Sequence, residues 1–403
     1  MKKSVSIIGG GSAAIALASF LDPDLFEVII YEKNKTIGRK FLVAGKGGFN
    51  LTHSEPINDM IKHYSPSSFL EKSLMSFSNE DFRAWLEQLG IPTMVGSSRR
   101  VYPKGEIKPI EVLDKLISNM FDRGVSIEQE RTWTGWNRRD ELVFNKMIQV
   151  KSDVTVFALG GASWSVTGSD GTWLDILNEK GVKCVAFEAS NCAFGINWPK
   201  DLSKRFAGEP LKNIALTCNG LTQKGEVVLS EFGLEGNAIY ALSRLLRDDL
   251  NENKKATLSI DLKPMLSEVE VLNKLEKTTH KNTTDALRTD LKLSAVQLAI
   301  VKSYTTKEEF LNLALLASKV KSLAVEVTGI APVENAISTV GGVDVDGVDD
   351  HFQLIGLDGH YCIGEMLNWD APTGGYLLQA CFSMGKALAD HLNETNQVAI
   401  EID

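Results

Sequence analysis

The sequence predicts an α/β protein, a parallel-sheet βαβ core interrupted by an inserted domain with a β part and a helical part. Three observations predict it. An apolar run, Ser4–Ile8, meets Gly9–Gly10–Gly11 and then a helical stretch, Ile15–Leu21. A second apolar run, Val28–Tyr31, ends in the acid Glu32. Near Glu188 the rhythm changes to short strand-like runs between turns, and Gly-rich strand ends return beyond Ser338. Strand, Gly-rich turn, helix, strand and acid, in that order, form a dinucleotide-binding βαβ pattern.

The residue types carry the chemistry. Gly9 permits the tight turn, and Gly11 lets the backbone approach a pyrophosphate. Ala14 stands in the third glycine's place and is small enough for helix to pack on strand. The N–H groups near Ser12 and Ala13 would face the phosphates. Glu32 follows Gly9 by 23 residues and would accept hydrogen bonds from a ribose. A Gly-rich turn of some other α/β protein is the plainer alternative, against which both strands and the acid count.

Composition bounds the rest. A chain of 403 residues implies two or three domains. A net charge of −9 counts against nucleic acid as a general partner, because phosphate binding needs a basic face. The five Cys are scattered without a C-x-x-C pair, which fits reduced thiols in a cytoplasmic protein. The six His have no metal-ligand spacing, so no metal is expected. Met1–Lys2–Lys3 before an apolar run imitates a signal peptide, but glycines interrupt the run and it reads as a buried strand. No stretch is long enough to span a bilayer. The expected partner is a small-molecule substrate, with neither nucleic acid nor membrane.

After Glu32 comes a basic segment, Lys33 to Lys40, and then Gly45–Lys46–Gly47–Gly48–Phe49–Asn50–Leu51–Thr52–His53. Arg39 and Lys40 suit a pyrophosphate, and Gly47 and Gly48 allow close approach to a flat ring. An exposed flexible loop is the alternative. GRKFLVAGKGGFNLTHSEP resembles the G-R-K-x-L-x-x-[ST]-G-x-G-R-C-N-x-T-N stretch of the BaiN/YhiN-type NAD(P)/FAD-dependent oxidoreductases. Gly48–Phe49 stands where Arg-Cys is usual, and His53 where Asn is. The loop is most similar to a subgroup carrying A-G-K-G-G-x-N-L-T-H.

Further segments match this family in order. Gly160–Gly161–Ala162–Ser163 resembles its A-T-G-G strand end, and Gly364–Glu365 the end of its L-Y-x-x-G-E strand. Ala371–Gln379 resembles P-T-G-G-Y-N-x-Q and opens a helix expected over Gln379–Leu392. Between them, Asn79 is expected to cap the helix containing Trp85. Helices are read over Ile110–Phe121, Leu291–Tyr304 and Phe310–Ser322, and a β-meander over Val125–Trp136 and Glu141–Gln149. Asp170 reads as the cap of a helix Thr172–Lys180 rather than as a ligand.

The resemblance implies a Rossmann-like domain of the glutathione-reductase FAD type, formed by residues 1–187 and 330–403. The insert is 188–329, with a β part to about 262 and a helical part from about 263. Non-covalent FAD would be held by Gly9, Gly11, Ser12, Ala13, Glu32, Lys33, Gly38, Arg39, Lys40, Gly47, Gly48, Asn50, Trp133, Gly160, Gly161, Gly364, Glu365, Gly374, Gly375 and Tyr376. Candidates beside the ring are Lys46, Phe49, Asn50, His53 and Tyr376. A single G-x-G-x-x-A unit leaves NAD(P)H to bind transiently as electron donor. The expected activity is reduction of a small organic substrate. A flavin-binding redox sensor, an FAD-dependent hydroxylase and an RNA-modifying enzyme are the alternatives.

Overall fold

The computed structural model describes residues 2–43 and 49–402. Lys46, Gly47 and Gly48 lie outside the described residues. The chain divides into two compact units, 1–188 with 338–403, and 189–337.

The first unit is built on a five-stranded, all-parallel sheet. Its strand order is His360–Cys362, Val154–Phe157, Lys3–Ile8, Phe26–Tyr31, Ser126–Glu128. The central strands are apolar at successive positions because both faces are covered: Val5, Ile7, Ile8, Ile30, Val156 and Phe157 are all buried. Helix Ser12–Phe20 is buried along Ala13–Ser19. The C-terminal helix crosses it at Gly385, where a Cβ would stand 2.7 Å from that of Ala16. Strand Ser126–Glu128 corrects the meander reading, since it extends the parallel sheet beside Phe26–Tyr31. The meander itself consists of Trp133–Trp136, Leu142–Phe144 and Ile148–Val150.

The second unit contains a closed six-stranded antiparallel barrel. Its strand order is Phe194–Ile196, Gly233–Glu235, Leu221–Leu229, Pro210–Cys218, Ala256–Asp261, Leu323–Ile330. Leu323, Val325 and Val327 face inward while Ala324, Glu326 and Thr328 are exposed, the period-two pattern of a half-buried strand. This last strand follows the helices, so the insert is not a β part and then an α part: the helical stretch is itself inserted before the closing strand. Residues 330–337 stay with this unit, not the first.

Local chemistry moved several helix ends. Ser294 and Gln297 form a capping box that starts a helix at Ala295, not Leu291. Asn312 accepts from Ala314 and Leu315 N–H groups, splitting the expected Phe310–Ser322 helix into Lys307–Leu311 and Leu313–Lys321. The C-terminal helix runs over Tyr376–Ile402, a turn earlier and longer than expected. Among the described residues no helix is long and apolar enough to cross a membrane.

Candidate functional site

The sheet order brings the Gly-rich segments together. Strand Lys3–Ile8 runs into Gly9–Gly11, Val154–Phe157 into Ala158–Gly161, and His360–Cys362 into Ile363–Glu365, and the three strands are neighbours. Being parallel, they put all three turns at the carboxyl edge, where open α/β sheets bind ligands. Gly9 has φ +100°, and a Cβ there would stand 2.5 Å from the Ala158 carbonyl oxygen, so only glycine lets these turns touch. Gly11 is different. It is exposed, and the nearest atom to a built Cβ is 4.0 Å away. It precedes a nine-residue helix whose start has no side-chain cap and no acid in its first turn. Such a start offers N–H donors and partial positive charge to an anion.

Glu32 is buried at this edge. Its Oε2 accepts the Gly10 N–H at 2.8 Å, and its Oε1 accepts the backbone and side-chain N–H of Asn34. A carboxylate oxygen has two lone pairs, so Oε2 can also take a ribose hydroxyl. Gly38 donates its N–H to the Gly10 carbonyl at 2.8 Å. The nearby cations hold loops together. Lys40 Nζ donates to Glu365 Oε2 at 2.8 Å and Ser163 Oγ at 2.9 Å, joining segments 325 positions apart. Arg39 donates to Asn34 Oδ1. Lys33 pairs with Asp170 at 2.8 Å. Burial pushes the Asp170 carboxyl up, but hydrogen bonds from Lys33 and Thr172 outweigh it and hold the group below its usual range. Asp170 is therefore no helix cap: it bonds the Thr172 N–H, and the helix begins at Leu174.

A second cluster forms around the start of the C-terminal helix. Gly375 has φ +102°, and a Cβ there would stand 2.5 Å from the Thr52 backbone, so this helix rides directly on strand Thr52–His53. Tyr376 Oη donates to Glu55 Oε1 at 2.5 Å. His53 stacks on Tyr376 with centroids 5.2 Å apart, and its Nδ1 stands 3.4 Å from the same Glu55 oxygen. Its Nε2 faces the Ser98 carbonyl at 3.2 Å. His63 Nε2 stands 3.4 Å from Glu55 Oε2 and is half-exposed. Burial alone would raise the Glu55 carboxyl, but the close imidazoles of His53 and His63 and the hydrogen bond from Tyr376 hold it well below the usual range. Burial, then Glu55, push the Tyr376 phenol far up. Asn79, expected as a cap, instead donates to the His53 and Glu55 carbonyls, and Ser78 caps the helix.

The C-terminal helix links the two clusters. Cys381 Sγ lies 3.9 Å from a Cβ built on Gly364, itself against Ala13 of the first helix. Tyr376 stands five residues up the same helix, about 7.5 Å along its axis. An uncapped helix start, a ribose acceptor at Glu32 and a second glycine turn at Gly374–Gly375 fit the two ends of a dinucleotide such as FAD. Gly160 accepts the Trp173 indole N–H through its carbonyl, and Gly161 packs against Thr339. The other candidates are placed less directly. Trp133 is buried against Trp136 and Phe157 with its Nε1 unpartnered. Phe49 packs in the core against Phe41, and Asn50 is half-buried. Glu55 and His63 escaped the sequence reading. Their one signal is a carboxylate two residues beyond His53.

A family model described as the HI0933-like protein Rossmann domain matches residues 3–391. Among curated relatives, a ribosomal RNA dihydrouridine synthase of Haemophilus influenzae is 23% identical, covering 95% of this chain and 96% of its own. A 3-dehydro-bile acid delta(4,6)-reductase of Clostridium scindens is 23% identical, covering 94% of this chain and 97% of its own. Among solved structures, the open conformation of a flavocytochrome c3 fumarate reductase aligns with a TM-score of 0.52 at 14% identity, covering 98% of this chain and 78% of that one. The 3-ketosteroid-delta4-(5alpha)-dehydrogenase of Rhodococcus jostii RHA1 aligns with a TM-score of 0.50 at 14% identity, covering 96% of each chain. These two likenesses establish the fold.

Proposed function

The chain belongs to the HI0933-like family of FAD-dependent oxidoreductases, and from that premise we propose that it saturates a carbon–carbon double bond conjugated to a carbonyl group. The observation that carries this reading is the Glu55 cluster beside the second glycine turn. Bound FAD would supply the two-electron transfer, with NAD(P)H as the source. Saturation also needs a proton at the carbon next to the carbonyl. Tyr376 Oη and His53 are the groups to provide it, by turning a proton away from Glu55 to the substrate carbon. The raised Tyr376 phenol keeps its proton at neutral pH, and ionised Glu55 orients both donors. Half-exposed His63, on the other Glu55 oxygen, gives the path by which the proton is replaced from solvent.

The names of the relatives support this chemistry: a dihydrouridine synthase and a delta(4,6)-reductase both describe loss of a double bond. A second reading, a uridine of ribosomal RNA as substrate, is favoured by the two synthase relatives, which span 95% and 96% of this chain. The net charge of −9 favours the small molecule. The five scattered cysteines, without a C-x-x-C pair, suit a reducing cytoplasm. The test is anaerobic reoxidation of pre-reduced enzyme in D2O, by conjugated enones and by uridine-containing RNA. The expected result is reoxidation by an enone with deuterium at the α-carbon. Glu55→Gln slows that step by about 10²–10⁴-fold and leaves reduction by NAD(P)H unchanged. An unaffected Glu55→Gln variant, or no reoxidation by either class, contradicts the reading.

A further inference from the structure

The inserted unit carries a cleft of about 420 Å³ that the oxidoreductase reading does not use. Three lysines line it: Lys212, Lys263 and Lys292. They come from a barrel strand, from the segment after strand Ala256–Asp261, and from the turn before helix Ala295–Ser303. Among the described residues none of the three forms an ion pair. The neighbouring acid, Asp261, is taken by a different lysine, Lys321, at 2.7 Å. Lys263 Nζ donates to the Lys292 carbonyl at 3.0 Å, which draws two of the lysines together. Burial, and then the charge of Lys292, lower the pKa of the Lys263 ammonium. One acid, Glu209, also lines the cleft.

Lys263 and Lys292 repel each other, a cost that an anion would remove, and Lys212 adds a third cation to the lining. Their convergence contrasts with a chain of net charge −9. The adjoining helix adds partial positive charge, since its start lines the cleft at Ala295 and Val296. A cavity of this volume holds a phosphate together with the organic group it esterifies. We propose that this cleft is a binding site for a phosphate-bearing ligand, recognised through Lys212, Lys263 and Lys292.

The phosphate could belong to a small ester or to an RNA backbone, and the experiment separates the two. Flavin-loaded full-length protein is titrated calorimetrically with inorganic pyrophosphate and with an unstructured RNA of about 20 nucleotides, at about 0.15 M salt. The wild type is compared with Lys212→Ala/Lys292→Ala and with Lys212→Arg/Lys292→Arg. Both positions are exposed, and an unchanged far-UV circular dichroism spectrum and thermal unfolding curve report folding of the insert. The expected result is at least a tenfold loss of affinity in the alanine variant and recovery in the arginine variant. Tighter binding of pyrophosphate assigns a small phosphate ester. Tighter binding of RNA, with a salt slope that falls by about two in the alanine variant, assigns the polymer. Binding of neither probe, or equal binding by wild type and alanine variant, overturns the proposal.

Discussion

Glu55 concentrates the site's electrostatics in one side chain. Its carboxylate is 10% exposed and receives Tyr376, His53 and His63 within 3.4 Å. Because its folded pKa is depressed from 4.5, the folded protein binds fewer protons than the unfolded chain as pH falls. Glu55 therefore stabilises the fold above pH 4.5, and that stabilisation is lost as pH falls through the folded value. Urea unfolding of wild type and Glu55→Gln should thus differ by about 1–3 kcal/mol at pH 7, and the gap should begin to narrow as pH falls below 4.5. A gap that persists unchanged at low pH would contradict this assignment. Tyr376→Phe, which removes one proton donor and leaves the ring stack, should cost less stability than Glu55→Gln but should also slow turnover. The one sequence signal for Glu55 is its place two residues beyond His53. Its partners lie two, eight and 321 positions away, and no local periodicity marks the two more distant contacts, which tertiary packing assembles.

Among the elements, the Gly-rich turns were readable because their chemistry is local: a strand, a turn and a helix start are contiguous in sequence. Gly9→Ala places a Cβ 2.5 Å from the Ala158 carbonyl, and Gly375→Ala places one 2.5 Å from the Thr52 backbone. Both positions also have positive φ, so each substitution should cost about 1–3 kcal/mol before any backbone shift. Gly9→Ala is expected to lose bound flavin while far-UV circular dichroism stays near wild type. Full flavin retention would show that the first turn does not hold the cofactor. Helix boundaries were less legible where capping competed with apolar pattern. Ser78, one residue before Asn79, forms the capping box with Asp81, leaving Asn79 free to hold the His53–Glu55 segment. Strand Ser126–Glu128 was misassigned because its partner, Phe26–Tyr31, lies about a hundred residues earlier.

Across the whole molecule, two separate apolar cores match the two units. One is centred on the parallel sheet and the other on the barrel. The sequence announced the insert through its change of rhythm, but not the order within it. The closing barrel strand Leu323–Ile330 pairs with strands that precede the helical stretch, a non-local pairing no single window contains. If the cofactor is held by the first unit, hydrogen exchange with and without FAD should show new protection at residues 9–15, 32–40 and 364–380. Barrel strands Pro210–Cys218 and Leu221–Leu229 should exchange as before. Protection centred on the barrel instead would relocate the site. We propose an FAD-dependent enzyme fed by a nicotinamide. Anaerobic titration of the purified protein with NADH and NADPH, followed at the flavin band near about 450 nm, tests it most directly. The expected result is about one FAD per chain, bleached by at least one of the two donors within turnover times. A protein that takes up no FAD, or whose flavin neither donor bleaches, would contradict it.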